Sequence, residues 1–123
     1  MRIALLVVFG AAGTVARYGL QGLVQHRTGT GFPAGTLVVN LLGCFLLGGI
    51  AEYGLTHLAL PADWRMGITV GFLGAFTTFS TFSWETVRLL RDGEWSRASI
   101  YVLASVIGGI VAVVFGMRLA ERI

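Results

Sequence analysis

The chain predicts an all-α membrane protein with four transmembrane helices, and three observations predict it. Only 12% of its 123 residues are charged while 55% are hydrophobic, with a mean hydropathy of +0.80. Soluble domains carry about 25% charged residues, so the composition suits a bilayer as solvent. The uncharged residues gather into four long runs divided by turn-rich breaks. Most of the 18 glycines lie inside those runs rather than between them, as expected of helices that pack closely in lipid, where small residues at contacts replace the hydrophobic drive.

A spanning helix takes about 20 mostly apolar residues. The first uncharged run covers residues 3–16, is interrupted by Arg17, and continues to Gln25. An arginine is tolerated there because its long side chain can reach the interface. The others cover 34–51, 66–84 and 98–117. With their flanks they give spans of 3–25, 34–56, 65–90 and 97–119, one transmembrane domain over 1–123. The breaks "HRTGTGFP" (26–33), "LPADWR" (60–65) and "RDGEW" (91–95) hold turn residues. Residues 1–16 fit a cleaved signal peptide weakly, since Gly10, Gly13 and Arg17 continue one segment without a clear cleavage site.

The charges decide against one class and leave a tie. The formal charge is +3, from nine Arg and no Lys. The arginines stand singly at span ends rather than in a basic stripe, so they read as anchors in a lipid partner, with no nucleic acid expected. Four spans put Arg2, Arg65, Arg118 and Arg122 on one side and Arg27, Arg88, Arg91 and Arg97 on the other. The positive-inside rule then gives no orientation. Either the chain inserts both ways or the count is too small to speak. Cys44 is the only cysteine, so no internal disulfide is possible and a buried structural thiol is expected. His26 and His57 fall in loops without metal-ligand spacing. No catalytic constellation is present, and the chain is not expected to be an enzyme.

The last span carries Ala104, Gly108, Ala112 and Gly116 at four-residue intervals, a face able to press against another helix. So small a chain has little interior, so an oligomer is expected. If both orientations occur, it is an antiparallel two-fold dimer.

Polar groups inside the spans bear on function. In "GFLGAFTTFSTFSWE" (71–85) five hydroxyl residues crowd around Phe79 and Phe82. Those rings are three apart and share a helix face; Thr78, Thr81 and Glu85 follow on a neighbouring one. Glycine weakens helices, and Ser and Thr compete for backbone bonds, so a break between Gly74 and Thr77 is expected. Freed carbonyls in lipid must be paired or bind something. Hydroxyls mending a kink and a small hard cation on the carbonyls are both open. The second span carries Thr36, Asn40 and Cys44 four apart, and the fourth carries Tyr101 and Ser105. An intramembrane Asn bonds to a neighbour or faces water. Three such stripes suggest a shared path or a polar two-fold interface. Deep carboxylates are missing, Glu52 and Glu85 lying towards span ends, whereas a cation pore would show acidic rings or carbonyls. The stripes offer amide and hydroxyl donors and the positive edges of phenyl rings, which suit a small anion. Arg17 could concentrate anions at one mouth or serve only as an anchor.

These residues resemble the small fluoride channels of bacteria, the Fluc or CrcB family. "GAAGTVARYG" (10–19) is similar to the family's first-helix pattern, "GTLVVNLLGCFLLG" (35–48) to its second-helix pattern around Asn, and "GFLGAFTTFSTFSWE" to its third-helix signature. The resemblance implies a dual-topology antiparallel homodimer in the bacterial plasma (inner) membrane, with two pores lined by both subunits. It implies a passive fluoride channel that lets fluoride leave the cytoplasm and lowers its toxicity. Phe79, Phe82, Asn40, Tyr101 and Ser105 match path residues, and Thr36 joins them. Arg17 and Glu85 match positions near the mouths. Gly74 and Thr77 match positions whose carbonyls hold a structural sodium ion at the dimer centre. Gly109 departs from relatives with a hydroxyl there, which implies a shorter or wetter polar track. A rival of similar size, a proton-coupled multidrug exporter, needs a carboxylate deep in the first helix, which this chain lacks; Glu85 would have to serve. A non-transporting adaptor would use the polar stripes as glue alone.

Overall fold

A computed structural model describes residues 1–57 and 60–123. Helix α1 (Arg2–Thr28) stops at Gly29, which adopts a positive φ of 84° and bonds its N–H to the Gln25 carbonyl. A short turn through Pro33 leads to α2 (Ala34–His57); proline's fixed φ and missing N–H suit a helix start. The third span is composite. It begins as α3 (Ala62–Met66), widens into a π-helical stretch (Gly67–Leu73) and tightens again in α4 (Gly74–Phe76). Thr77 and Thr78 are then extended, with φ/ψ of −91°/160° and −151°/114°, before α5 (Phe79–Arg91) resumes. Helix α6 (Trp95–Glu121) follows the turn at Asp92-Gly93.

Among the described residues, four helices are long and apolar enough to cross a membrane: Arg2–Thr28, Ala34–His57, the bent Ala62–Arg91, and Trp95–Glu121. Their packing divides into two couples. Helices α2 and α6 lie closely together, and α1 lies along the π-helical stretch and α4. In the first couple the approach is reciprocal. A Cβ on Gly48 would strike the Val113 carbonyl, and one on Gly116 would strike the Phe45 carbonyl. At Gly108 an added Cβ would stand 3.1 Å from the Leu41 side chain. The small-residue ladder of α6 thus meets α2 of its own chain at Gly108 and Gly116. The second couple is tied at one end by Arg2, whose Nε donates to Asp63 Oδ1 at 2.8 Å.

Little is fully enclosed. Val39, Leu73, Phe76, Ala98, Tyr101 and Ala120 form the buried hydrophobic core, with Thr36 beside them. Large apolar side chains such as Val7, Val15, Ile110 and Phe115 cover the outside, as suits a chain whose solvent is lipid.

Candidate functional site

The site is built around the interruption at Thr77 and Thr78. Opening a helix there frees backbone groups that lipid cannot satisfy, and side chains from other spans meet several of them. The Asn40 amide of α2 binds Thr78 from both ends. Its Oδ1 accepts from the Thr78 N–H at 2.8 Å, and its Nδ2 donates to the Thr78 carbonyl at 3.0 Å. One amide thereby replaces the two bonds that a continuous helix would have given that residue. The Thr78 hydroxyl caps α5, accepting from the Thr81 N–H at 3.3 Å. On the other side of the break, Arg17 of α1 donates from Nε to the Ala75 carbonyl at 3.1 Å, and Thr77 closes back on the Leu73 carbonyl through both its N–H and its hydroxyl at 3.0 Å. Among the described residues, no hydrogen bond closes on the carbonyls of Gly74 or Thr77. These are hard oxygen donors, and no cluster of three His, Cys, Asp or Glu side chains accompanies them among the described residues.

A groove of about 310 Å³ runs past the break. Its lining brings together Asn40, Gly74, Thr77, Phe79, Phe82 and Ser105, six residues singled out from three separate stretches of sequence. The Phe79 ring is 79% exposed and lies 5.8 Å from the Phe82 ring between centroids. Ser105 Oγ is buried without a hydrogen-bond partner among the described residues. Cys44 joins the lining and remains a free thiol.

Arg17 and Glu85 line a second, larger cavity of about 750 Å³, together with Tyr18, Gln21, Gln25 and Arg88. Thr36 and Tyr101 line neither cavity and are only 1% and 0% exposed. Both point their hydroxyls at Glu85: Thr36 donates to Oε1 at 2.6 Å and Tyr101 to the same oxygen at 3.4 Å. Gln21 donates in turn to Thr36 at 3.1 Å. The relay draws one polar residue from each of α1, α2, α5 and α6. Within this chain Thr36 and Tyr101 are therefore internal partners of Glu85 rather than walls of either cavity.

Three contributors escape a reading of the sequence. Gln21 and Gln25 look like ordinary polar residues near a span end, and Phe32 looks like a loop residue. Gln21 enters the relay. Gln25 holds the turn, donating to the Gly29 and Phe32 carbonyls (the latter at 2.9 Å) and accepting from the Gly35 N–H at 3.1 Å. Phe32 meets the Tyr101 ring edge to face, with centroids 5.6 Å apart. The four-residue spacing of Gln21 and Gln25 was the one available signal; nothing in the sequence marks Phe32.

Comparison with known proteins finds a family and relatives that match nearly the whole chain. A family model described as "CrcB-like protein, Camphor Resistance (CrcB)" matches residues 4–117. A protein of Geobacter metallireducens named fluoride-specific ion channel FluC is 47% identical over 123 residues, covering 100% of this chain and 99% of that protein. One of the same name from Syntrophotalea carbinolica is 47% identical, covering 100% of both, and one from Geobacter sulfurreducens is 50% identical over 121 residues, covering 98% of each. With the match running through all four spans, this chain belongs to the CrcB family.

Proposed function

We propose that the protein is a passive, fluoride-selective channel of the plasma membrane, an antiparallel dual-topology homodimer that lets fluoride leave the cytoplasm. The observation that carries this is the near-half identity, over the whole chain, to relatives named fluoride-specific ion channels. The groove gives that name a physical content. An ion leaving water needs replacement contacts that neither hold it nor hand it a proton. Ring edges at Phe79 and Phe82 attract an anion weakly, and the second N–H of Asn40 and the unpartnered Ser105 hydroxyl are donors beside them. Phe79 stands exposed on an open groove, as a path shared with a second subunit requires.

Hydrogen fluoride is a weak acid that crosses membranes uncharged and ionises in a near-neutral cytoplasm, where the ion is trapped. A passive conduit suffices to release it, since an inside-negative potential drives an anion outward by about 2.3 kcal/mol per 100 mV. No enzymatic step is involved.

A sodium ion at the dimer centre fits the donor set. The unbonded Gly74 and Thr77 carbonyls are the kind of ligand that broken membrane helices offer sodium, and two chains would double their number. Its part would be to hold the assembly together.

Fluoride release from reconstituted vesicles, followed by electrode with chloride as comparison, tests the channel. Rapid fluoride release with chloride retained is expected; vesicles as tight to fluoride as protein-free ones would refute it.

A further inference from the structure

We infer that Phe32, in the turn between α1 and α2, is a positioning residue for the ion path, acting through Tyr101. The inference rests on the channel reading and concerns one ring that lines neither cavity. Tyr101 is wholly buried, so no water can stand in for its phenol, and the direction of that phenol is set by the rings that touch it. Two rings do so: Phe82 at 5.1 Å, tilted by 59°, and Phe32 at 5.6 Å, crossing at 80°. Phe82 belongs to the groove itself. Phe32 comes from a connection, where no helix fixes it, and yet its backbone is pinned. Gln25 and the Ala34 N–H both donate to the Phe32 carbonyl, Arg97 of α6 donates to the neighbouring Gly31 carbonyl at 3.2 Å, and Pro33 follows, buried.

A turn fastened from α1, α2 and α6 thus delivers one apolar side chain, and that side chain meets the phenol whose hydroxyl reaches Glu85. Rings run in sequence from Phe79 through Phe82 and Tyr101 to Phe32, joining the groove to the connection beside the larger cavity. Loss of the Phe32 ring frees Tyr101 to swing its hydroxyl off Glu85, which loosens one of the two bonds holding that carboxylate to the protein at the edge of the mouth. A residue that merely plugs the start of α2 would lower the amount of folded protein but would not act through the phenol.

The test is a double-mutant cycle on the full chain in vesicles, scored per mole of protein that elutes as the native assembly. Phe32→Leu should slow fluoride release about three- to tenfold, the range that one aromatic contact can account for. Tyr101→Phe should slow it at least as much. The double variant should match Tyr101→Phe alone, because Phe32 has nothing left to position. Phe32→Tyr, which keeps the ring, should stay within about twofold of the unaltered chain. If Phe32→Leu does not fold, Phe32→Met takes its place in the cycle. Unaltered release in the Phe32 variant, or effects that add in the double variant, would overturn the assignment. The unaltered chain in the same vesicles reports separately on the channel reading, since its silence would condemn that reading and not the ring contact.

Discussion

The α2–α6 contact and the break in the third span are both places where helices meet in lipid, and they are held by opposite means. At Gly48 and Gly116 the contact consists of backbone pressed on backbone, with a carbonyl where a side chain would be. At Thr77 and Thr78 the backbone has come apart, and Asn40, Arg17 and hydroxyls replace what it lost. The first arrangement leaves no polar group to serve an ion. The second leaves several: the Gly74 and Thr77 carbonyls, the remaining Asn40 N–H and the Ser105 hydroxyl. The close-packed couple is a scaffold against which an irregular segment can be kept open, and polar groups useful to an ion collect where regular structure was given up.

If that contrast is right, substitutions should separate stability from transport. The largest loss of stability is expected at the scaffold. Gly116→Leu drives a side chain into the Phe45 carbonyl and should cost about 3 kcal/mol or abolish folded protein; thermal unfolding in detergent that matches the unaltered chain would break the comparison. Next comes Asn40→Leu, which removes both bonds to Thr78. Hydrogen bonds inside membranes are worth little each, so a loss of about 1–2 kcal/mol is expected, together with a fall in fluoride release of more than about tenfold. Stable protein with full release would mean that the break needs no splint. Exchange of sodium for N-methylglucamine should lower the unfolding temperature of the assembly, and indifference would remove the cation from the Gly74 and Thr77 carbonyls. Smallest for stability is Phe79→Ile, because the ring is already 79% exposed. Unfolding should shift by less than about 0.5 kcal/mol while fluoride release drops; an equal drop in both would make Phe79 a packing residue. Glu85→Gln keeps an acceptor for Thr36 and Tyr101 and should leave much of the flux, whereas a proton-coupled exporter would stop.

The four spanning helices were legible because uncharged runs of bilayer length have few other uses. The bend was legible too, since Gly74 and the hydroxyl cluster argue locally against a helix, although the extended residues are Thr77 and Thr78 rather than the glycine. The π-helical widening at Gly67–Leu73 left no mark in the sequence, although α1 packs along that stretch. Side-chain roles were harder to read. Asn40 stood out as costly in lipid, but its two-ended hold on Thr78 depends on how α2 is placed against the break. Thr36, Glu85 and Tyr101 sit far apart in the chain, and only the packing of α2, α5 and α6 brings their hydroxyls and carboxylate to one point. Phe32 was invisible for the same reason: a loop ring has no periodicity to betray its neighbour.

The interruption at Thr77 and Thr78 also has an electrical consequence. An unbroken helix keeps its partial charges at its two ends, near the water, and cancels them along its length. Cutting it mid-span places the negative carboxyl-terminal end of one piece and the positive amino-terminal end of the next within two residues of each other. Positive and negative guests alike find a complementary pole at that depth, and no ionised side chain has to be buried to create either.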